Sequence, residues 1–144
     1  MKRLPVMFFA LLFVLNLAVI PAAAADVATG DTIYYEDGSY AVITQGSATR
    51  SSTDKEKSYI YYNPQGQRCF TYTLYASFTY NGVTSSADSC HYRAAIHRQG
   101  WDMKSHSEYV SGSTAYGRAV FTGPNGETRN VSLTLTCDKN GNVT

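Results

Sequence analysis

From Cys69 to Tyr80 the chain alternates without a break for twelve residues. Phe70, Tyr72, Leu74, Ala76, Phe78 and Tyr80 fall on one side, and Thr71, Thr73, Ser77 and Thr79 on the other together with Tyr75. Successive side chains of a strand point to opposite faces, so this pattern predicts a long antiparallel strand with one face in a core and one in water. Asn81-Gly82 follows it, the dipeptide best suited to a tight hairpin, and Val83 opens the return strand.

Helical periodicity is nearly absent elsewhere, while Tyr, Thr, Val and Ile alternate between closely spaced turn signals. Thr32–Glu36 and Ser39–Gln45 flank Asp37-Gly38. Gly46–Lys57 is polar enough to be an exposed connection. Ser58–Asn63 is a tyrosine-rich strand stopped by Pro64 and Gly66. Weaker strands are expected at Lys104–Val110 and Thr114–Thr122, and Gly123-Pro124-Asn125-Gly126 turns the chain into Glu127–Cys137. About eight strands at this spacing predict an all-β fold: a single antiparallel two-layer β-sandwich, Ig-like or similar, with a small β-barrel as the alternative.

The first residues belong to a different regime. Lys2 and Arg3 precede an apolar run, Leu4–Ile20, and Pro21 with Ala22–Ala25 completes the pattern of a cleaved secretory signal. Residues 1–25 are therefore read as signal peptide and 26–144 as one domain of about 119 residues, enough for one ordinary core. No stop-transfer flank follows the run and the tail Asp138–Thr144 is polar, so the product is expected to be secreted without a membrane anchor. Without Lys2 and Arg3, ten basic side chains face eleven acidic ones, a net charge of −1 that gives no electrostatic reason to expect nucleic acid. Asn130-Val131-Ser132 and Asn142-Val143-Thr144 match the glycosylation acceptor pattern, which carries weight only in a eukaryotic source.

Three cysteines in an exported chain leave one unpaired. With a two-residue turn at Asn81-Gly82, Cys69 would face Ala94 and Cys90 would face Thr73. That offset of about 13 Å is too long for a bridge of at most ~7 Å between Cα atoms. Cys137 shares the apolar face of Leu133 and Leu135, and Cys90 that of Tyr92 and Ile96, whereas Cys69 sits with Thr71 and Thr73. The expected disulfide is Cys90–Cys137, leaving Cys69 a free thiol that could link a dimer. A bulge within Ser85–Ser89 is needed to turn Cys90 away from the polar face.

Chemical motifs are sparse. His91 and His97 would lie about 20 Å apart on one strand, too far to share a metal. His106 and Glu108 share a face and form the one local pair with metal-ligating chemistry, but no metal or other cofactor is expected. Ser105 and His106 point to opposite faces, against a nucleophile–base pair, and Asp102 with Glu108 as a carboxylate pair needs a separation that sequence does not supply. Asp138-Lys139-Asn140-Gly141-Asn142 begins like a calcium loop but lacks the distal glutamate, and is read as a polar turn. The best binding feature is aromatic: Tyr59, Tyr61 and Tyr62, with Tyr75 on the polar face, offer a surface for glycan or protein.

Phe78-Thr79-Tyr80-Asn81-Gly82, Trp101 and Leu133–Gly141 together resemble a group of small secreted proteins of Gram-positive bacteria. The resemblance runs from about Tyr59 to the end. It implies cysteines after the Asn-Gly turn and after the last strand, which map to Cys90 and Cys137, and it brings no activity, substrate or catalytic residue. The resulting expectation is a secreted, non-enzymatic sandwich that recognises an extracellular ligand. A small hydrolase and a toxin or inhibitor are the alternatives.

Overall fold

The computed structural model describes residues 30–47 and 54–144. The proposed signal segment lies outside them. Eight strands follow one another: β1 (Asp31–Tyr34), β2 (Tyr40–Ser47), β3 (Asp54–Tyr62), β4 (Arg68–Tyr80), β5 (Ser85–Ile96), β6 (Asp102–Ser111), β7 (Thr114–Thr122) and β8 (Thr128–Thr136). They form two antiparallel sheets, β1-β2-β3-β4-β5 and β6-β7-β8. The sheets pack face to face and do not close into a barrel, so the chain is an all-β sandwich.

Each sheet is a meander in which sequence neighbours pair, and the chain changes sheet once, between β5 and β6. β8 lies over β3 and β4, β7 lies over β4 and β5, and β6 lies beside β5, so β1 and β2 extend past the smaller sheet. Side chains of β3 and β2 meet the open edge of β8 and the tail beyond it. Lys57 Nζ donates to the carbonyl of Thr134 at 2.9 Å, and Gln45 Nε2 donates to that of Val143 at 2.6 Å. A lysine on an open edge discourages pairing with a further strand. The described ends of Gly46–Lys57 are strand and not the open connection their polarity suggests: Gly46 and Ser47 pair with Glu56 and Lys55.

The core holds the apolar face of β4 between the two sheets. Phe70 stacks on Phe121 at 3.9 Å and lies 5.0 Å from Trp101 and 5.1 Å from Tyr61. Tyr59 and Tyr61 are buried here, which corrects their assignment to an exposed binding surface. Both faces of β3 carry aromatic residues, so alternation alone does not say which face the second sheet covers.

Two departures from regular pairing reassign the cysteines. The β4–β5 loop has four residues rather than two, because Asn81 Oδ1 accepts from Val83 N, Thr84 N and Thr84 Oγ1, and Tyr80 pairs with Ser85. The register then shifts opposite Ser77/Phe78, where Asp88 is the extra residue. Cys90 therefore faces Ala76 on the apolar side, as the expected bulge requires. A second shift between Tyr61 and Tyr62 leaves Cys69 as an extra residue and turns it into the core rather than beside Thr71.

All three cysteines are free, so the expected Cys90–Cys137 disulfide is not formed. Cys137 lies at the end of the sandwich near Ser85, whose Oγ donates to its carbonyl at 2.7 Å. Cys90 stands five residues further along β5, about 15 Å away along the strand, and a bridge spans ~7 Å at most. Parity placed both cysteines on inner faces, but their positions along the strands keep them apart.

Candidate functional site

Four turns are built alike: Tyr35–Ser39, Asn63–Gln67, Gly123–Glu127 and Asp138–Asn142. In each, the first residue's N–H donates to the last residue's carbonyl, and a glycine in fourth place donates back to the first carbonyl. That glycine has φ between 72° and 88°, the left-handed conformation of a three-residue hairpin with a bulge. The Asp138–Asn142 turn is thus the polar turn expected there. It folds the tail back so that Thr136 and Thr144 exchange both backbone hydrogen bonds.

The other three turns converge at the opposite end of the sandwich and, with the β5–β6 link, enclose a cleft of about 420 Å³. Its rim carries Asp37, Asn63, Pro64, Pro124, Asn125 and Glu127, its side Arg98, and its floor Tyr61, Cys69 and Trp101. Gly100 brings the link tightly against the β7–β8 turn, since a Cβ there would lie 2.8 Å from Pro124. The carbonyl of Cys69 accepts from His97 N and Arg98 N at 2.8 and 3.1 Å, which fixes where Arg98 leaves the sheet. The Arg98 guanidinium bonds Gln67 Oε1, a neutral amide.

The cleft's acids are already engaged. Asp37 accepts from Ser39 N and Oγ and from Arg129 Nη2, at 3.0, 2.5 and 2.5 Å, and these partners, Ser39 foremost, hold its carboxyl below the usual range. Glu127 folds over Gly123 and accepts from Asn125 N at 2.9 Å. Burial pushes the Cys69 thiol up, against the pull of the Asn63 backbone and Arg98. A thiol in that state is a poor nucleophile and, fully buried, a poor partner for an intermolecular bridge.

On the outer face of the large sheet, the same end carries an aromatic row. Tyr34 pairs with Tyr40, Tyr40 with Tyr62, and Tyr62 with Arg68, one residue from each of four adjacent strands. Ring centroids step by 6.1 and 4.8 Å, and Arg68 sits 5.8 Å from the Tyr62 ring with Nη2 3.4 Å from its hydroxyl. Tyr40 and Tyr62 are nearly parallel and occupy each other's faces, so they present edges and hydroxyls. Tyr34, tilted by 39° and 78% exposed, keeps a ring face open. The row adjoins the turn: a Cβ on Gly66 would lie 3.8 Å from the Tyr40 hydroxyl.

Of the four tyrosines singled out from sequence, Tyr62 joins this row and Tyr59 and Tyr61 enter the core. Tyr75 stacks on His91 at 4.9 Å on the same outer face, about 20 Å along the strand from Tyr62. Sequence reasoning missed Tyr34, Tyr40, Arg68, Arg98 and Trp101 as a group. The available signal was the matching spacing of Pro64/Gly66 and Pro124/Gly126, which marks two turns of one construction.

A second cluster crosses the seam between the sheets. Glu108 Oε1 accepts from the Tyr72 hydroxyl at 2.7 Å, and Oε2 accepts from His106 Nδ1 at 3.1 Å. His106 Nε2 is 3.0 Å from the Tyr92 hydroxyl. The carboxylate is 12% exposed and the imidazole 39%. This is a carboxylate-oriented imidazole next to a hydroxyl, but the hydroxyl belongs to tyrosine, and Ser105 lies on the other face opposite Val120. Tyr92 is also packed between Tyr72 and His106, at 5.8 and 4.1 Å. No set of three His, Cys, Asp or Glu side chains arranged to hold a metal ion occurs among the described residues.

No protein-family model, curated protein or solved structure matches the chain.

Proposed function

We propose that this protein is a secreted, non-catalytic binding module that recognises an extracellular glycan at the turn end of its larger sheet. The observation that carries this reading is the Tyr34–Tyr40–Tyr62–Arg68 row. A sandwich needs only the inner face of each sheet for its core, yet here the outer face bears a continuous strip of three rings across three strands, ended by a guanidinium on the fourth. Tyr34 offers an open face to the apolar side of a sugar, while the hydroxyls of Tyr40 and Tyr62 and the Arg68 guanidinium offer hydrogen bonds to sugar oxygens. A strip one ring wide with polar tips suits a chain of hydroxylated rings better than a protein partner, whose anchors need deep, desolvated pockets.

Retention of Tyr34→Ala and Tyr62→Ala on immobilised polysaccharides tests the reading. Loss of retention with the thermal melt preserved is the expected result for Tyr34→Ala, whose ring is mostly in water. Tyr62→Ala also removes a cross-strand pair and should lower the melt slightly. A wild-type protein that no glycan retains, or variants retained as well as wild type, would sink the proposal.

A further inference from the structure

We infer that the glycan recognised at this end is anionic, with its acidic groups held by Arg68 on the outer face and Arg98 in the cleft. This rests on the reading above and names the ligand class of the same site. The decisive feature is where two guanidinium groups stand. Arg68 and Arg98 flank one turn residue, Gln67, from opposite sides: Arg68 follows it in sequence and ends the aromatic row, while Arg98 reaches Gln67 Oε1 from the cleft.

Neither guanidinium meets a carboxylate among the described residues. The polar side-chain partners of the two are the Tyr62 hydroxyl and the Gln67 amide, both neutral. Arg129, nearby, shows the opposite arrangement. It is bonded to Asp37, Ser39, Tyr61 and the Thr128 carbonyl, so its charge is met by a carboxylate and four of its five N–H donors are engaged. The cleft's own acids are not arranged to neutralise Arg98, because Asp37 is engaged by Arg129 and Ser39, and Glu127 is turned onto its own turn.

A guanidinium has a planar fork of donors that fits a carboxylate or phosphate through two parallel hydrogen bonds. The cleft volume, about 420 Å³, falls in the range of small-ligand sites and accommodates a single sugar unit beside Arg98. Glu127 confines an anion to the Arg98 side of the cleft. The aromatic row, the Asn63–Gln67 turn and the cleft then form one path, along which a chain lays rings on tyrosine and acidic groups on arginine.

Affinity electrophoresis of the intact protein through gels containing polygalacturonate, a phosphate-bearing mannan or a neutral glucan tests this. Polygalacturonate, the mannan or both should retard wild type more than the glucan does, the retarding polymer naming the anion. Added salt should weaken the effect. Arg68→Gln and Arg98→Gln should each weaken retention about tenfold, and Arg98→Lys less, since the charge stays and the fork is lost. Melting curves of the variants establish that they are folded.

Equal retention of the Gln variants, or glucan binding as strong as that of either acidic polymer, overturns the inference. If glucan binding depends on Tyr34 but not on the arginines, the glycan reading stands without an anion. Failure of all three polymers to retard the protein rejects both.

Discussion

Tyr72 of β4 donates its hydroxyl hydrogen to Glu108 of β6 across the interior of the sandwich, and Gly117 of β7 leaves the space for it. Gly117 stands directly opposite Glu108 in the β6–β7 ladder, and a Cβ there would lie 2.8 Å from Tyr72 Oη and 3.0 Å from Leu74 Cδ1. A glycine within a strand often marks such a close approach. Both neighbours are fully buried and the tyrosine ring is rigid, so Gly117→Ala should destabilise the fold by about 1–3 kcal/mol in urea unfolding. Tyr72→Phe removes the atom nearest the clash, so the double variant should cost less than the sum of the two single changes. Strict additivity would show that the contact is not what Gly117 protects.

Alkali should unfold the protein through two particular tyrosines. Burial first, then the hydrogen bonds to Tyr35 and Glu108, push the Tyr59 and Tyr72 hydroxyls well above the ordinary tyrosine value. A group whose folded pKa is raised contributes stability that is fully present below the unfolded pKa, ~10 for tyrosine. It is lost as pH rises from there towards the folded value. Near-ultraviolet absorbance should therefore show a final tyrosine step coincident with loss of tertiary circular dichroism. In Tyr72→Phe, stability should fall less steeply with pH above ~10. An unchanged slope would refute the assignment.

How much of this was legible follows from which constraints are local. The alternation from Cys69 to Tyr80 reports its own inner face, and the structure places Phe70, Tyr72, Leu74, Ala76 and Phe78 there. Tyr59 and Tyr62 could not be told apart in the same way, because choosing the buried face of β3 depends on where β8 packs, more than sixty residues later. Cys69 escaped its parity through a single extra residue, a change invisible to periodicity. The row and the cleft were legible only as parts. Tyr34, Tyr40, Tyr62 and Arg68 become neighbours through the register of three ladders, and Trp101 reaches Tyr61 through the one crossing between sheets.

Arg129 ties the overhang of the large sheet to β8, and its loss should be costlier than that of its acidic partner. Its guanidinium bonds Tyr61 Oη at 3.1 Å and Asp37 Oδ2 at 2.5 Å, and lies 4.7 Å from the Tyr35 ring. Arg129→Gln should cost roughly 2–4 kcal/mol, whereas Asp37→Asn, at a carboxylate half in water, should cost under ~1 kcal/mol. Asp37 has a lowered folded pKa, so its contribution is present above the unfolded value of ~3.9 and lost as pH falls through the folded one. The gap between wild type and Asp37→Asn in urea melts should then narrow only below about pH 4. A gap already closing at pH 6 would assign the stabilisation to another group.

The three thiols should behave as three separate environments. Burial is the leading cause of a raised pKa at Cys69, Cys90 and Cys137 alike, so at pH 8 the folded protein should react more slowly than an unfolded thiol of pKa ~8.5. Cys90 is half-buried while the other two are closed off, so a small alkylating agent should label Cys90 first and reach Cys69 and Cys137 only through opening of the core. Intact mass after alkylation in denaturant, without any reductant, should show three labels on a monomer. A single label with a mass two hydrogens short would mean that a bridge forms despite the separation of Cys90 from Cys137. A reductant-sensitive dimer lost in Cys69→Ser would mean that the end of β4 opens far enough for a partner's sulfur to enter.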